Sequence, residues 1–215
     1  MIISRGRRYI FVHIPKTGGT ALATALEARA LADDILIGDT PKARRRRGRL
    51  EGAISAGRLW KHSTLADVVG LITPAEAQTF FTFTLVRNPW DRMVSYYHWL
   101  RAQRFAHPQV ALAKATDFSA FLNDPTTQAA IAAAPYASYM SLPGVGDCAR
   151  AYLRLEHLGE DAAPLEAHLG FALPPLARIN ASDRIADWRG YYSPHDAELV
   201  GRLCGADIAR FGYQF

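Results

Sequence analysis

The stretch from Tyr9 to Thr20, Tyr-Ile-Phe-Val-His-Ile-Pro-Lys-Thr-Gly-Gly-Thr, constrains this chain more than any other. Its first half is apolar, β-branched and aromatic, the pattern of a buried strand. Its second half, Lys16 to Thr20, is a glycine turn. The following residues, Ala21 to Ala30, are strong helix formers, with Leu22, Ala25, Leu26 and Arg29 at three- and four-residue steps. Strand, glycine turn and helix together make an anion site, because the first N–H groups of the helix lack intrahelical partners and the helix dipole favours negative charge there. Gly18 and Gly19 admit close approach of a phosphate, Lys16 adds a mobile charge, and Thr17 and Thr20 add hydroxyl donors. The Walker A order, G-x-x-x-x-G-K-S/T, differs, since here the lysine precedes the glycines. An adapted nucleotide triphosphatase is thereby disfavoured, and an ordinary turn holding two glycines is the plain alternative.

A second junction of the same kind lies further on. Phe80 to Val86 is apolar on nearly both faces, as expected of a central parallel strand. It runs into Arg87-Asn88-Pro89-Trp90-Asp91-Arg92-Met93-Val94-Ser95-Tyr96-Tyr97. Asn88 reads as a helix cap, Pro89 as the first helical residue and Asp91 as an acid in the first turn, with the helix continuing to about Arg104. Arg87 stands at the mouth of the strand and Ser95 two turns into the helix. Asp91 and Arg92 read as cap and surface groups.

Elsewhere Arg58 to His62 reads as a short extended segment, and Ser63 or Thr64 caps a helix with Asp67 in its first turn. Thr73-Pro74-Ala75-Glu76 starts another helix with a capping box. Ala151 to Leu155 reads as a strand, Leu165 and Leu169 belong to a helix ending at Gly170, and a last helix runs from Pro194 to about Arg210. Strands alternating with helices predict an α/β fold, a three-layer α/β/α sandwich around a mostly parallel sheet, over a single domain spanning residues 1–215. Ligands of such sheets bind beyond the carboxyl ends of the strands. Lys16, His62 and Arg87 each follow a predicted strand and are expected along one rim.

Composition narrows the partners. A net charge of +5 favours acidic ligands. Lys42 to Arg49 is the one dense charge run, open to an anionic acceptor, nucleic acid or a membrane surface; no aromatic residue interleaves it to stack on bases, so the plain reading is a solvated, mobile loop. Two cysteines, Cys148 and Cys204, without a C-x-x-C pair, argue against disulfide scaffolding and a thiolate zinc site and fit reduced thiols. Met1 to Arg8 is too short and basic for a signal peptide, and no apolar run has the length of a membrane span, so a soluble cytoplasmic protein is expected.

The two junctions carry a resemblance. His13 to Thr20, followed by Val86 to Tyr97, resembles the sulfotransferases that use 3′-phosphoadenosine 5′-phosphosulfate (PAPS), above all carbohydrate sulfotransferases of the heparan sulfate 2-O-sulfotransferase type and their small bacterial relatives. The likeness extends to Lys61-His62, to Asn180-Ala181-Ser182 and to Tyr191-Tyr192. It implies that Lys16, Thr17, Gly18, Gly19 and Thr20 hold the 5′-phosphosulfate, with Lys16 also neutralising charge on the leaving phosphate. Arg87 and Ser95 would hold the 3′-phosphate, and Arg184, in the late loop that folds over the nucleotide, would touch phosphate or adenine. The implied acceptor is a hydroxyl, on a sugar or glycan, and no metal is required. His62 is the expected general base, with an intrinsic pKa suited to neutral pH. Glu156 is the reserve base, and His13 reads as a buried histidine. Trp60, Trp90 and Trp99 either line a sugar site or pack in the core, and Tyr191 and Tyr192 either stack on a base or pack. Two rival readings remain. One is a kinase-like phosphotransferase, for which Asp91 is the only nearby acid. The other is a non-catalytic polyanion binder using Arg44 to Arg49.

Overall fold

The computed structural model describes residues 1–176, 184, 185 and 187–215. In chain order its elements begin β1 (Ile2–Ser4), β2 (Tyr9–Val12), α1 (Gly19–Ala28), β3 (Ile35–Leu36), α2 (Pro41–Arg46), α3 (Pro74–Thr79) and β4 (Phe81–Val86). Then come α4 (Pro89–Arg101), α5 (Pro108–Ala115), α6 (Phe118–Asn123), α7 (Pro125–Ala132) and α8 (Tyr136–Met140). The chain continues through β5 (Ser141–Leu142), β6 (Gly146–Asp147), β7 (Ala151–Arg154), α9 (Leu158–Asp161) and α10 (Ala163–Leu169), and closes with α11 (Pro194–Leu203) and α12 (Gly205–Phe211). It divides into two compact units, one of Met1–Val86 with Tyr136–Ile179, the other of Arg87–Pro135 with Asn180–Phe215.

The first unit is built on a five-stranded sheet in the order β3-β1-β2-β4-β7. Strands β2, β4 and β7 are parallel, and β1 is antiparallel to both β2 and β3. Side chains alternate across β2: Ile10 and Val12 pack on one face with Leu65, Val68 and Phe80, while Tyr9 and Phe11 pack on the other with Leu22 and Leu26 of α1 and Leu165 of α10. Burial on both faces explains the unbroken apolar run that marks β2 and β4 in the sequence. The sequence reading has no strand before Tyr9. The structure places β1 inside the sheet, with Ile2 and Ile3 each 1 % exposed, because a three-residue run is too short to show a period but long enough to complete a ladder.

Two other local expectations change. Thr64 and Asp67 exchange cap hydrogen bonds, Thr64 N to Asp67 Oδ2 at 2.8 Å and Asp67 N to Thr64 Oγ1 at 3.2 Å, but the segment continues as turns. Val68 and Val69 are poor helix formers and Gly70 is left-handed, packed against the Ile54 carbonyl, so the helix stops after its cap. The arginine run is not a loose loop. Thr40 caps α2, Lys42 donates to the Glu27 carbonyl, Arg46 donates to the Leu31 carbonyl at 2.8 Å, and Arg49 donates to that of Ala32. Half of the run's cations thus neutralise backbone carbonyls around the end of α1.

The second unit is helical. Asn88 Oδ1 accepts from Trp90 N at 3.0 Å and Pro89 takes the first helical position, so α4 starts where the sequence indicates. Its apolar stripe, Trp90, Val94 and Tyr97, packs against Phe118, Phe121, Leu199 and Val200. Ser193 and Asp196 form a capping box at α11, but the expected single last helix breaks at Cys204 and restarts as α12. Among the described residues no helix is long and apolar enough to cross a membrane.

Candidate active site

In the first unit the chain leaves β2 at Val12 and turns sharply before α1. Lys16 and Gly18 are both left-handed, with φ of 66° and 85°. Glycine takes this geometry freely; a lysine does so at roughly 1–2 kcal/mol, a strain typical of ligand-binding turns. No side chain caps α1 at Gly18, nor α9, α10 or α12, whereas Thr40, Thr73, Asn88, His107, Asp117, Asp124 and Ser193 each cap the helix that follows them. Ala21 N donates to the Gly18 carbonyl at 3.1 Å, and Gly18 brings no side chain to the N–H groups before it, so these suit an external acceptor. Thr17 is fully buried and donates its hydroxyl to the Ile14 carbonyl at 2.9 Å. It shapes the turn from inside instead of presenting the hydroxyl expected of it, and what it can offer an anion is its backbone N–H. Thr20 is partly exposed at the second position of α1.

Gly19 has a packing reason to be glycine. A Cβ there would lie 2.2 Å from His13 Cδ2. His13 is 6 % exposed and its ring stacks on Phe11, so it has little room to yield. Gly19→Ala is expected to lower stability by about 1–3 kcal/mol through overpacking. Thermal unfolding checks this; an unchanged Tm would show that the His13 ring swings aside.

His62 does not follow a strand. Trp60 to His62 form a bend and turn, and the imidazole reaches the loop by a long-range contact: Nδ1 lies 2.8 Å from the His13 carbonyl, the residue just beyond β2. A carbonyl only accepts, so Nδ1 carries the proton and Nε2 keeps its lone pair in the neutral ring. Burial pushes the imidazole down from 6.5 to about 4, helped by Lys61; the His13 hydrogen bond and the Asp39 carboxylate act in the opposite sense. Burial also holds His13 well below the usual histidine range, reinforced by the nearby charges of His62, Lys61 and Lys16. Lys61 is paired with Asp39 at 2.6 Å. Trp60 is 44 % exposed, sits edge-on to His62 with ring centroids 5.0 Å apart, and carries the Arg58 guanidinium over its ring at 5.6 Å. Glu156 is exposed in a single 3-10 turn after β7, while its neighbour Leu155 packs on Gly18.

In the second unit Arg87, Asp91 and Ser95 recur at four-residue spacing along the start of α4. Arg87 donates to Asp91 Oδ2 through Nε at 2.8 Å and Nη2 at 2.6 Å, and Arg184 donates to Oδ1 through Nη2 at 2.6 Å. Ser95 is 8 % exposed. Asp91 is therefore not a surface cap: its side chain is 14 % exposed and bridges both arginines. The i, i+4 spacing from Arg87 was the legible signal for half of this cluster; nothing local points to Arg184. Tyr192 donates to the Trp90 carbonyl at 2.7 Å, Tyr191 Oη accepts from Ile185 N at 3.1 Å, and Trp90 is 6 % exposed, so these rings pack. Residues 180–182, part of the resemblance, lie outside the described residues.

Known proteins share this fold. The mouse sulfotransferase SULT7A1 complexed with PAP is similar in fold, at a TM-score of 0.52 and 15 % identity over 95 % of this chain and 86 % of that one. No curated protein matches the sequence at a significant level. The sequence model of the sulfotransferase family matches residues 1–171, which takes in the turn before α1, His62, and the Arg87–Ser95 junction. The chain belongs to the sulfotransferase family, whose members transfer a sulfuryl group from PAPS.

Proposed function

We propose that this single-domain enzyme, working in the cytoplasm, sulfates a hydroxyl of a sugar or glycan. The observation that carries the reading is the uncapped start of α1 under a left-handed Lys16–Gly18 turn, beside an imidazole whose Nδ1 is tied and whose Nε2 has no hydrogen-bond partner among the described residues. The residues fit the donor: the N–H groups of Thr17 to Thr20 suit the 5′-phosphosulfate, and the guanidinium groups of Arg87 and Arg184, with the Ser95 hydroxyl, suit a 3′-phosphate. When bound, the donor supplies a sulfuryl group whose S–O bond to the 5′-phosphate breaks as the acceptor oxygen bonds to sulfur. Lys16 neutralises the charge that grows on that phosphate oxygen, and His62 Nε2 takes the proton from the acceptor hydroxyl. Positioning and electrostatics then supply most of the rate, as in phosphoryl transfer.

A sugar acceptor is favoured by Trp60. An exposed indole beside His62, with Arg58 alongside, offers a flat apolar surface and a hydrogen-bond donor, a combination suited to the face and hydroxyls of a pyranose. Both cysteines are free, which fits a reducing compartment.

Calorimetric titration with adenosine 3′,5′-bisphosphate, without metal, against ATP with Mg²⁺ tests the donor assignment. The bisphosphate is expected to bind and ATP with Mg²⁺ to bind far less. Arg87→Ala is expected to weaken the bisphosphate by about 2–3 kcal/mol, the scale of a lost charge-assisted contact. Preference for ATP with Mg²⁺ would overturn the donor assignment in favour of the kinase-like reading.

A further inference from the structure

Among the described residues, the carboxylate of Asp91 touches both arginines assigned above. Its two oxygens are divided between them: Oδ2 takes the Arg87 fork and Oδ1 takes Arg184 Nη2. All three side chains are largely buried, at 15 %, 14 % and 13 % exposure. Ser95 lies one helical turn beyond Asp91 on the same face of α4. Arg184 Nη1 is buried and has no hydrogen-bond partner among the described residues. A buried donor left without an acceptor is unfavourable, so this guanidinium is set for an acceptor from outside.

Building on the function proposed above, we propose that Asp91 is a positioning residue: it holds Arg87 and Arg184 as a two-guanidinium clamp for the 3′-phosphate of the donor. The charges support the arrangement. Two guanidinium groups this close repel, and one carboxylate between them offsets the repulsion while leaving the cluster net positive, so it still attracts a dianion. The forks are also pre-ordered. Each long arginine side chain gives up its rotamer freedom on folding rather than on binding. Two other forked pairs, Arg5 with Glu76 and Arg154 with Asp161, each have one arginine and, among the described residues, no second cation bonded to the carboxylate, as expected of structural pairs.

Two simpler roles predict other results. If Asp91 only complements the N-terminus of α4, its loss lowers stability without singling out any ligand. If it only competes with phosphate for the arginines, its removal tightens binding. The test is the affinity of wild type, Asp91→Asn and Asp91→Glu for adenosine 3′,5′-bisphosphate and for adenosine 5′-monophosphate, which lacks the 3′-phosphate. The clamp predicts that Asp91→Asn weakens the bisphosphate at least about tenfold, the monophosphate is unchanged, and Asp91→Glu recovers part of the loss. Unchanged or tighter bisphosphate binding, or an equal loss for both ligands with a lower Tm, would overturn it. A wild type with no preference for the bisphosphate over the monophosphate would overturn the donor assignment itself and the clamp with it, an outcome already visible before any variant is compared.

Discussion

Lys16→Ala is expected to lower kcat by about 10²–10³-fold while changing the affinity for adenosine 3′,5′-bisphosphate far less. The reason is where the charge acts. Backbone N–H groups at the start of α1 hold the phosphate in ground state and transition state alike, and binding of that kind does not speed the chemical step. A full positive charge beside the bridging oxygen gains most when that oxygen becomes a leaving group. The left-handed backbone at position 16 suits this task, because it turns the chain before the helix and keeps the side chain on the turn. Alanine suffers the same backbone strain as lysine there, so the substitution removes the charge without changing the turn. Single-turnover rates at saturating donor, set beside calorimetry, separate the two effects. Equal losses in rate and affinity would make Lys16 a binding residue only.

The second large effect concerns His62. His62→Asn keeps a side-chain N–H able to reach the His13 carbonyl but has no base, and is expected to slow transfer by about 10²–10⁴-fold. The pH profile carries the sharper signature. Burial lowers the imidazole pKa to about 4, so in the free enzyme the ring is largely neutral near pH 7, with Nε2 ready to accept a proton. The acid limb of kcat/KM, which reports the free enzyme, should therefore fall near pH 4 and not near 6.5. A bound polyanionic donor favours the imidazolium, so the acid limb of kcat should lie at higher pH. That upward shift also makes the ring a stronger base once the donor is in place. Coincident limbs near 6.5, or a profile that survives in His62→Asn, would remove His62 from the role.

The same shift links protonation of His62 to stability. The unfolded chain takes up a proton on His62 near pH 6.5, the folded chain only near 4, so between these values the unfolded state binds more protons. Stability then falls as pH drops through that window, and His13, also held low by burial, adds in the same direction. The rate measurements belong at pH values where thermal unfolding shows the fold intact.

Much of the layout was legible in the chain. The strand before His13, the strand ending at Val86, and the caps at Asn88, Thr73 and Ser193 all depend on neighbours within a few residues. Patterning and cap chemistry report such interactions directly. The turn at Lys16–Gly19 was legible for the same reason, as was the place of Arg87 at a strand end. The reach of the reading ended where a residue's role depends on a distant partner. His62 was expected at a strand end and instead sits on a turn, brought to the loop by a hydrogen bond across 49 residues. Thr17 was expected to present its hydroxyl and instead turns it inward.

Local composition by itself determined that this chain makes an apolar strand, a glycine turn with a lysine, and a second strand delivering an arginine to a capped helix. Those features depend on short-range propensity and hydrogen bonding, which the order of residues encodes. Tertiary structure alone decided which nitrogen of His62 carries the proton, why Gly19 has no room for a side chain beside His13, and that Asp91 joins Arg87 to an arginine 93 residues away. These depend on packing and burial, which bring together groups that no local pattern relates, and which set the charge state of each group once it is enclosed.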